Sequence, residues 1–433
     1  SPDDLISLQP RLTQIAAWHH DVHIHFCISL ELHTFPTTRP NKMKFIAFVL
    51  ASATAASQSI STLSTKERAD LMSDLAKWHS NFGATALKEG LLPHAQKTQD
   101  DLLQRLLDTK LAVAEASRTN PDAIFSWENK FALMNDAEFK QYVQVSFQSG
   151  NKSLRQAKDA PSAAGAVVAA TVDWTTRCNP PVRDQGACGS CWAHAAVGVA
   201  EAAHCLATGE LLSLSVQQVT SCSTEGGSQG CEGGFPWYAI DYVNQEGLCL
   251  DSDWPYAAQT GTCDGQCNKQ HLQIGSSVRG NGESGLVNGL NNQPVSVVVE
   301  AGNSVWKNYQ GGVVSQCPGA QSDHAVIAVA YDGQSYTIKN SWGTGWGESG
   351  YMRLARNTGS TGTCNVGEAP TWPQLSSNPN PTPSHGPTPV PSSTQPPSQC
   401  GDCDACLFSY FNQCYSDFSS SDCAYYGGVW CGH

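Results

Sequence analysis

Gln185-Gly-Ala-Cys188-Gly-Ser-Cys191-Trp192 is the stretch around which the rest of the chain is arranged. Its glycines favour a loop, and the residues after it read as a helical segment running from Cys191 to Thr208. Ala195, Val197, Val199, Ala200 and Ala203 are spread around that segment rather than confined to one stripe, which suits a helix buried in the middle of a domain. Cys191 then falls in the first turn, where unpaired backbone N–H groups carry partial positive charge and favour thiolate over thiol. A cysteine so placed is a candidate nucleophile. The competing reading is structural, because most cysteines in a chain with 18 of them are disulfide partners.

The residues around Cys191 decide between the two. Cys188-Gly-Ser-Cys191-Trp192 resembles the active-site loop of the papain family of cysteine proteases, written C-G-[SA]-C-[WY], in which the second cysteine is the nucleophile. The resemblance implies a His and an Asn far downstream. His324 stands in Ser322-Asp323-His324-Ala325-Val326, and Asn340 in Lys339-Asn340-Ser341-Trp342-Gly343. They lie 133 and 149 residues after Cys191, within the family spacing of about 130–150. Gly343, Trp346, Gly347, Gly350 and Tyr351 continue the family's N-S-W-G-x-x-W-G-x-x-G-Y run.

By this resemblance Cys191 attacks a peptide carbonyl as a thiolate paired with protonated His324, which then protonates the leaving amine. Asn340 would fix the ring, Gln185 and the Cys191 N–H would form the oxyanion hole, and Trp342 would shield the His324 to Asn340 bond. Substrate would be held by Gly233, Gly234, Phe235, Pro236, Val298, Ala325 and Ala369. Ala369 is small and uncharged, so bulky apolar or aromatic P2 residues are expected over Arg, whose burial no carboxylate there would offset. No long His-bearing insertion interrupts Trp254 to His271, which points to an endopeptidase. The resemblance pairs Cys188 with Cys231, Cys222 with Cys263, and Cys317 with Cys364. Cys178, Cys205, Cys249 and Cys267 would form two more bridges of open connectivity, leaving Cys191 as the one thiol outside disulfides. His194, where the family commonly has Phe, reads as a packing variant, and Glu201 as structural.

The implied fold is α+β, a papain-like pair of lobes, one helical and one β-barrel-like. After Gly280 the pattern does turn β-rich, with runs at Val295 to Val299, His324 to Tyr331 and Tyr336 to Lys339. Upstream, Leu71, Leu75, Trp78 and Phe82 mark an amphipathic helix from Lys66 to about Phe82. A second runs from about Thr98 to Arg118, and Asn120-Pro121 stops it. This helical stretch resembles the inhibitory propeptide of papain-like proteases. Asn129-Lys130-Phe131-Ala132 and Asp136-Ala-Glu-Phe139 resemble the family's N-x-F-A…N-E-E-F, with Leu133 where an acid is usual. The segment 148–170 would run along the cleft and contain the maturation cut.

Composition narrows the partners. A net charge of −13 with no long Lys/Arg block argues against nucleic acid or an anionic membrane surface as partner. The cysteines and the sequon Asn151-Lys152-Ser153, with Asn151 the glycosylation site, point to an oxidising compartment. Met43-Lys44, the apolar run Phe45 to Ala51 and the small residues to Ala56 read as a signal peptide, too short to span a bilayer. Translation is expected to begin at Met43. Residues 1–42, with His19, His20, His23, His25 and Cys27, suggest no folded metal site.

The expected domains are therefore a doubtful upstream segment (1–42), signal peptide (43–56), inhibitory propeptide (57–165), catalytic domain (166–371), a Pro/Ser/Thr linker (372–399) and a six-Cys module (400–433). That module, C-x2-C-x2-C-x7-C-x8-C-x7-C, is too short for a core without disulfides. Its aromatics, among them Tyr410, Phe411, Tyr425, Tyr426 and Trp430, either fill a mini-core or stack on sugar rings. The sequence thus reads as a secreted cysteine endopeptidase made as a zymogen, with vacuole or lysosome as other destinations. It would act as a monomer on protein or peptide substrates, with its own propeptide as inhibitor, no cofactor, no metal, and polysaccharide as a partner of residues 400–433. An alternative is a catalytically weak or inactive homologue that binds glycans. Such a homologue would be expected to lose Gln185, Cys191, His324 or Asn340, and all four are present.

Overall fold

Each of the two long N-terminal helices opens on a capping box, which satisfies two of the N–H groups that a helix start leaves unpaired. In the computed structural model α1 (Thr65–Lys88) is capped by Ser64 with Glu67, and α2 (Gln99–Thr119) by Thr98 with Asp101. α1 continues past Phe82 because Ala86, a further turn on, is also buried. Leu71, Leu75 and Trp78 join Leu103, Leu106 and Leu107 in one apolar cluster, and ion pairs from Lys110 to Asp74 and from Arg105 to Glu138 lie at its edge.

The structure describes residues 58–92, 98–144, 158–159, 171–265, 267–359, 361–375, 406–408, 413–415 and 429–431. The upstream histidines, the signal segment, Asn151, the linker beyond Leu375 and most of the six-Cys module lie outside them, as does most of the stretch expected to hold the maturation cut. Among the described residues no helix is long and apolar enough to cross a membrane.

After α2 the chain forms β1 (Ala123–Phe125), which pairs antiparallel with β6 (Tyr309–Val314), far along the sequence. Gly312 is required at this junction. Its φ is +79°, and a Cβ there would meet the carbonyl oxygen of Asp122 at 2.2 Å. A short helix α3 (Asp136–Gln144) follows, and two residues, β2 (Lys158–Asp159), pair in parallel with β4 (Ile274–Arg279).

The rest divides into a helical and a β-rich half. β3 (Val172–Asp173) leads to α4 (Cys191–Thr208), buried without a break from Cys191 to Cys205 and ended by Gly209 in the left-handed conformation. α5 (Val216–Cys222) and α6 (Pro236–Glu246) complete the helical half. The β half is built from β4, β5 (Val295–Val299), β6, β7 (His324–Tyr331), β8 (Ser335–Lys339), β9 (Tyr351–Ala355) and β10 (Thr371–Leu375), with the short helices α7 (Gly282–Leu290) and α8 (Ser304–Asn308) between them. The strand order is β1-β6-β9-β8-β7-β5-β10-β4-β2, with β3 on β7. A separate three-stranded sheet joins Cys406–Phe408, Gln413–Tyr415 and Val429–Trp430.

The linker expected from Trp372 begins later. Trp372 pairs with Val278 and is buried, so the sheet holds the chain through Leu375.

β5 and β7 show why their runs lack apolar–polar alternation. Val297, Val299, Val326 and Ala328 face one core, shared with the N-terminal helices, while Val298, Ala325, Ile327 and Val329 face the other, around α4. A strand buried on both faces is apolar throughout. Gly198 lets α4 approach β7, since a Cβ there would stand 2.5 Å from Ile327. Five disulfides lock the two halves internally: Cys178–Cys205, Cys188–Cys231, Cys222–Cys263, Cys249–Cys267 and Cys317–Cys364. The two bridges that sequence left open are thereby paired.

Candidate active site

Cys191 is the first residue of α4, with Ser190 at the N-cap, and it takes part in none of the five disulfides. Its Sγ accepts a hydrogen bond from the N–H of Ala325 at 3.2 Å. That contact sets the sulfur against the peptide joining His324 to Ala325, so the helical and β halves meet at these residues.

His324 opens β7 and is wholly buried. Its Nε2 lies 2.8 Å from Asn340 Oδ1. An amide oxygen only accepts, so Nε2 bears the proton and Nδ1 is the basic nitrogen of the neutral ring. Nδ1 has no hydrogen-bond partner among the described residues. Asn340 Oδ1 also accepts from the Ser341 N–H at 2.8 Å, so two donors fix the orientation of the amide. Trp342 lies over the imidazole with centroids 4.9 Å apart and planes at 26°, and Trp306 meets it edge-on at 6.3 Å. These indoles pack around the His324 to Asn340 bond, and such a bond is stronger in a drier environment. Burial holds the His324 pKa down at about 4, against the raising effect of the Asn340 bond.

Gln185 reaches the same place from the loop before α4. Its Oε1 accepts from Ser341 Oγ at 2.6 Å and its Nε2 donates to the Cys188 carbonyl at 3.0 Å. One N–H of Nε2 remains for another acceptor. Ser341 therefore orients both amides, Asn340 through its N–H and Gln185 through its hydroxyl. Sequence reasoning passed over it, although it stands beside Asn340 in the quoted motif. His194 makes a hydrogen bond as well as packing. Its Nδ1 faces the Ser190 carbonyl at 3.0 Å, and its ring stands edge-on to Tyr256 at 4.8 Å. Glu201 accepts from Arg183 at 2.7 and 3.0 Å and from the Leu214 N–H at 2.7 Å, a buried structural pair.

The residues expected to hold substrate gather on one side. Phe235, Val298, Ala325 and Ala369 share the core around α4, and Val298 stands directly opposite Ala325 across β5 and β7. Pro236 is buried in the first turn of α6. Gly233 has φ +102°, and a Cβ on Gly234 would stand 2.5 Å from the Trp192 ring, so backbone alone can lie there.

The N-terminal segment closes over the other side. Phe131, Phe139 and Tyr142 surround Trp342 at centroid distances of 5.5, 5.7 and 6.3 Å. Lys130 links its own segment to the Gln185 loop, pairing with Glu89 at 2.6 Å and Asp184 at 2.8 Å. Lys307 on α8 is buried beneath the segment, donating to Thr109 Oγ1 at 3.1 Å and the Met134 carbonyl at 2.5 Å. Among the described residues no group of His, Cys, Asp and Glu is placed to hold a metal ion.

Comparison with known proteins gives the family. A family model described as papain family cysteine protease matches residues 168–374. Cysteine proteinase RD21A of Arabidopsis thaliana is 32% identical over 378 residues, covering 82% of this chain and 79% of the relative. Among solved structures, the proform of the ragweed pollen allergen Amb a 11, a cysteine protease, aligns with a TM-score of 0.62 at 27% identity, covering 70% of this chain and 93% of that one. Digestive procathepsin L 3 of Tenebrio molitor aligns with a TM-score of 0.58 at 28% identity, covering 70% and 99%. Because the likeness takes in the N-terminal helices as well as the two halves that meet at Cys191, this chain belongs to the papain family of cysteine proteases, enzymes that hydrolyse peptide bonds, and has the build of a proform.

Proposed function

We propose that the chain is a secreted cysteine endopeptidase, made as a zymogen, in which Cys191 and His324 carry the chemistry and substrates with a bulky apolar P2 residue are preferred. The observation that carries this reading is the placement of the Cys191 sulfur against the Ala325 N–H while His324, one residue away, is held by Asn340 at 2.8 Å. His324 presents a basic nitrogen on the ring edge that Asn340 does not occupy, so it can take the thiol proton and return it to the leaving amine. Gln185, with an N–H to spare, and the Cys191 N–H at the helix start would stabilise the oxyanion. Trp342 supports the pair by excluding water.

In the closed form the N-terminal segment buries this apparatus and burial favours the neutral imidazole, which disfavours the thiolate–imidazolium pair. Removing the segment would restore water and the ion pair. The boundaries follow the expectations above, with residues 57–165 as propeptide and the catalytic domain extended to Leu375. Asn151 would carry a glycan, and residues 400–433 would tether the enzyme to polysaccharide. Ala369, Val298, Ala325, Phe235 and Pro236 would form the P2 pocket beside the Gly233 to Gly234 wall.

Titration with an epoxide thiol reagent tests the central claim. One equivalent should react at Cys191 after removal of the N-terminal segment, and much more slowly before it. Peptide hydrolysis that survives in C191A would remove the assignment.

A further inference from the structure

Between α4, β7 and β8 lies a cavity of about 20 Å³ lined by Arg183, His194, Gly198, Ile327, Lys339 and Asn340 among others. One water needs roughly 10–15 Å³ and two to four polar partners. Two buried atoms of lining residues find no hydrogen-bond partner among the described residues, His194 Nε2 and Asn340 Nδ2. Their chemistry is complementary. His194 Nδ1 faces a carbonyl oxygen, that of Ser190, at 3.0 Å, so Nδ1 bears the proton and Nε2 is an acceptor. Asn340 has its oxygen committed to His324 and the Ser341 N–H, so Nδ2 is a donor. A water accepting from Nδ2 and donating to Nε2 would match both, and leaving either buried and unmatched is costly.

We propose that His194 is a positioning residue for the His324–Asn340 pair, acting through a water held in this cavity between His194 Nε2 and Asn340 Nδ2. The inference rests on the reading of Asn340 as the residue that orients His324. It adds a link from the helix that bears Cys191 to Asn340, just past the end of β8, so that the two halves are tied behind the site. At its other nitrogen His194 is seated on Ser190, whose hydroxyl lies 2.5 Å from that of Tyr256, which donates to the Gln185 carbonyl at 2.9 Å.

The charged groups around His194 favour the neutral ring that this role needs. Arg183 and Lys339 line the same cavity, the first paired with Glu201 and the second donating to the Pro180 carbonyl at 2.6 Å. The bond to the Ser190 carbonyl and the charge of Asp184 pull the other way, while Arg183, and His324 when charged, oppose a positive ring. Burial dominates, and the His194 pKa is held at about 4. Phe at this position would fill space but offer no acceptor.

The test uses the full chain, activated and normalised to titratable thiol, as wild type, H194F, H194Q and N340A. H194F should lower kcat roughly fivefold, the equivalent of one lost hydrogen bond, with KM unchanged. H194Q, which keeps an acceptor, should recover most of that loss. Nitrogen-15 NMR of the intact zymogen should show His194 protonated on Nδ1, with Nε2 at a hydrogen-bonded acceptor shift. A wild-type kcat in H194F, or a His194 protonated on Nε2, would overturn the inference, and the second readout needs no variant to fold. N340A separates the two readings: if it is impaired while H194F is not, only the role of His194 fails. If N340A keeps full kcat, the assignment of Asn340 fails with it.

Discussion

Phe131 stands edge-on against Trp342, with centroids 5.5 Å apart and planes at 72°, and Trp342 in turn lies on His324 at 4.9 Å. An aromatic ring of the N-terminal segment is thus one indole away from the imidazole. Phe131 is completely buried, and truncating a buried Phe to Ala typically removes 3–5 kcal/mol. If only about 3 kcal/mol of that falls on docking of the segment, F131A should let the epoxide reagent reach Cys191 in the intact chain about a hundredfold faster. The inactivation rate of the uncleaved protein is the measurement. An unchanged rate would show that Phe131 does not help close the site.

Ser341 carries a second prediction, because its hydroxyl holds the Gln185 amide at 2.6 Å. Removing an oxyanion donor outright, as in Q185A, should lower kcat by about 10²–10³. S341A leaves the donor present but loosely oriented, and kcat should fall by about tenfold, the loss expected for about 1.4 kcal/mol of orientation. KM should move little in either variant. A kcat for S341A equal to wild type would mean that the Cys188 carbonyl alone orients Gln185.

How much of this was legible in the sequence follows physical lines. α4 and β7 could be read in full, because a helix apolar on all faces and a strand apolar on both faces leave long unbroken runs. The positions of Gln185, Cys191, His324 and Asn340 came from spaced motifs, and the structure brings all four together. β9, β10 and the pairing of β1 with β6 did not show, since short strands are defined by distant partners rather than by their own pattern. The bridges Cys178–Cys205 and Cys249–Cys267 depend likewise on which loops approach in space. The hydrogen bonds of His194 and Ser341 did not show for a related reason. A polar side chain discloses its role through the atoms it faces, and the sequence does not contain those.

The pair Arg183–Glu201 makes a prediction about stability alone. Glu201 is wholly buried and receives two guanidinium bonds and a backbone N–H. Removing one partner of such a pair strands the other charge, at a cost of about 3–5 kcal/mol. In E201A the midpoint of thermal unfolding should fall by roughly 10 °C, at 2–4 °C per kcal/mol for a body of this size. E201Q, which retains an acceptor for the Leu214 N–H, should fall less. Equal midpoints for E201A and wild type would contradict the burial argument.

The depressed pKa of His324 fixes the sign of a pH effect. An exposed imidazole titrates near 6.5, whereas burial holds His324 at about 4 in the closed form. Between those values the unfolded chain binds a proton that the folded chain does not. This contribution to stability is therefore fully present above about 6.5 and is lost as the pH falls toward 4. Asp323 acts in the opposite sense, since burial raises its carboxyl to about 6, but it is common to wild type and H324A and drops out of their difference. The stability of the intact wild-type chain relative to H324A should fall between pH 7 and pH 4.5. Denaturant unfolding of both proteins at each pH would show it, and a difference independent of pH would mean that His324 is not desolvated in the closed form.

Val298 and Ala325 face each other across β5 and β7, on the same side as Phe235 and Ala369. All four are apolar and buried, so a side chain entering among them gains apolar contact and meets no carboxylate. A guanidinium placed there would lose its hydration without a partner, which is why Arg at P2 should be disfavoured. Substrates of the Z-Phe-Arg type should accordingly be cleaved with higher kcat/KM than those of the Z-Arg-Arg type. Installing the missing charge tests the mechanism as well as the preference. In A369E the carboxylate would stand against an incoming guanidinium at low dielectric, where a charge-assisted hydrogen bond contributes about 1.5–3 kcal/mol. The ratio of the two kcat/KM values should shift toward Arg by at least tenfold, chiefly because Z-Arg-Arg improves. If the ratio holds while A369E folds and titrates normally, the P2 side chain is bound elsewhere than beside Ala369.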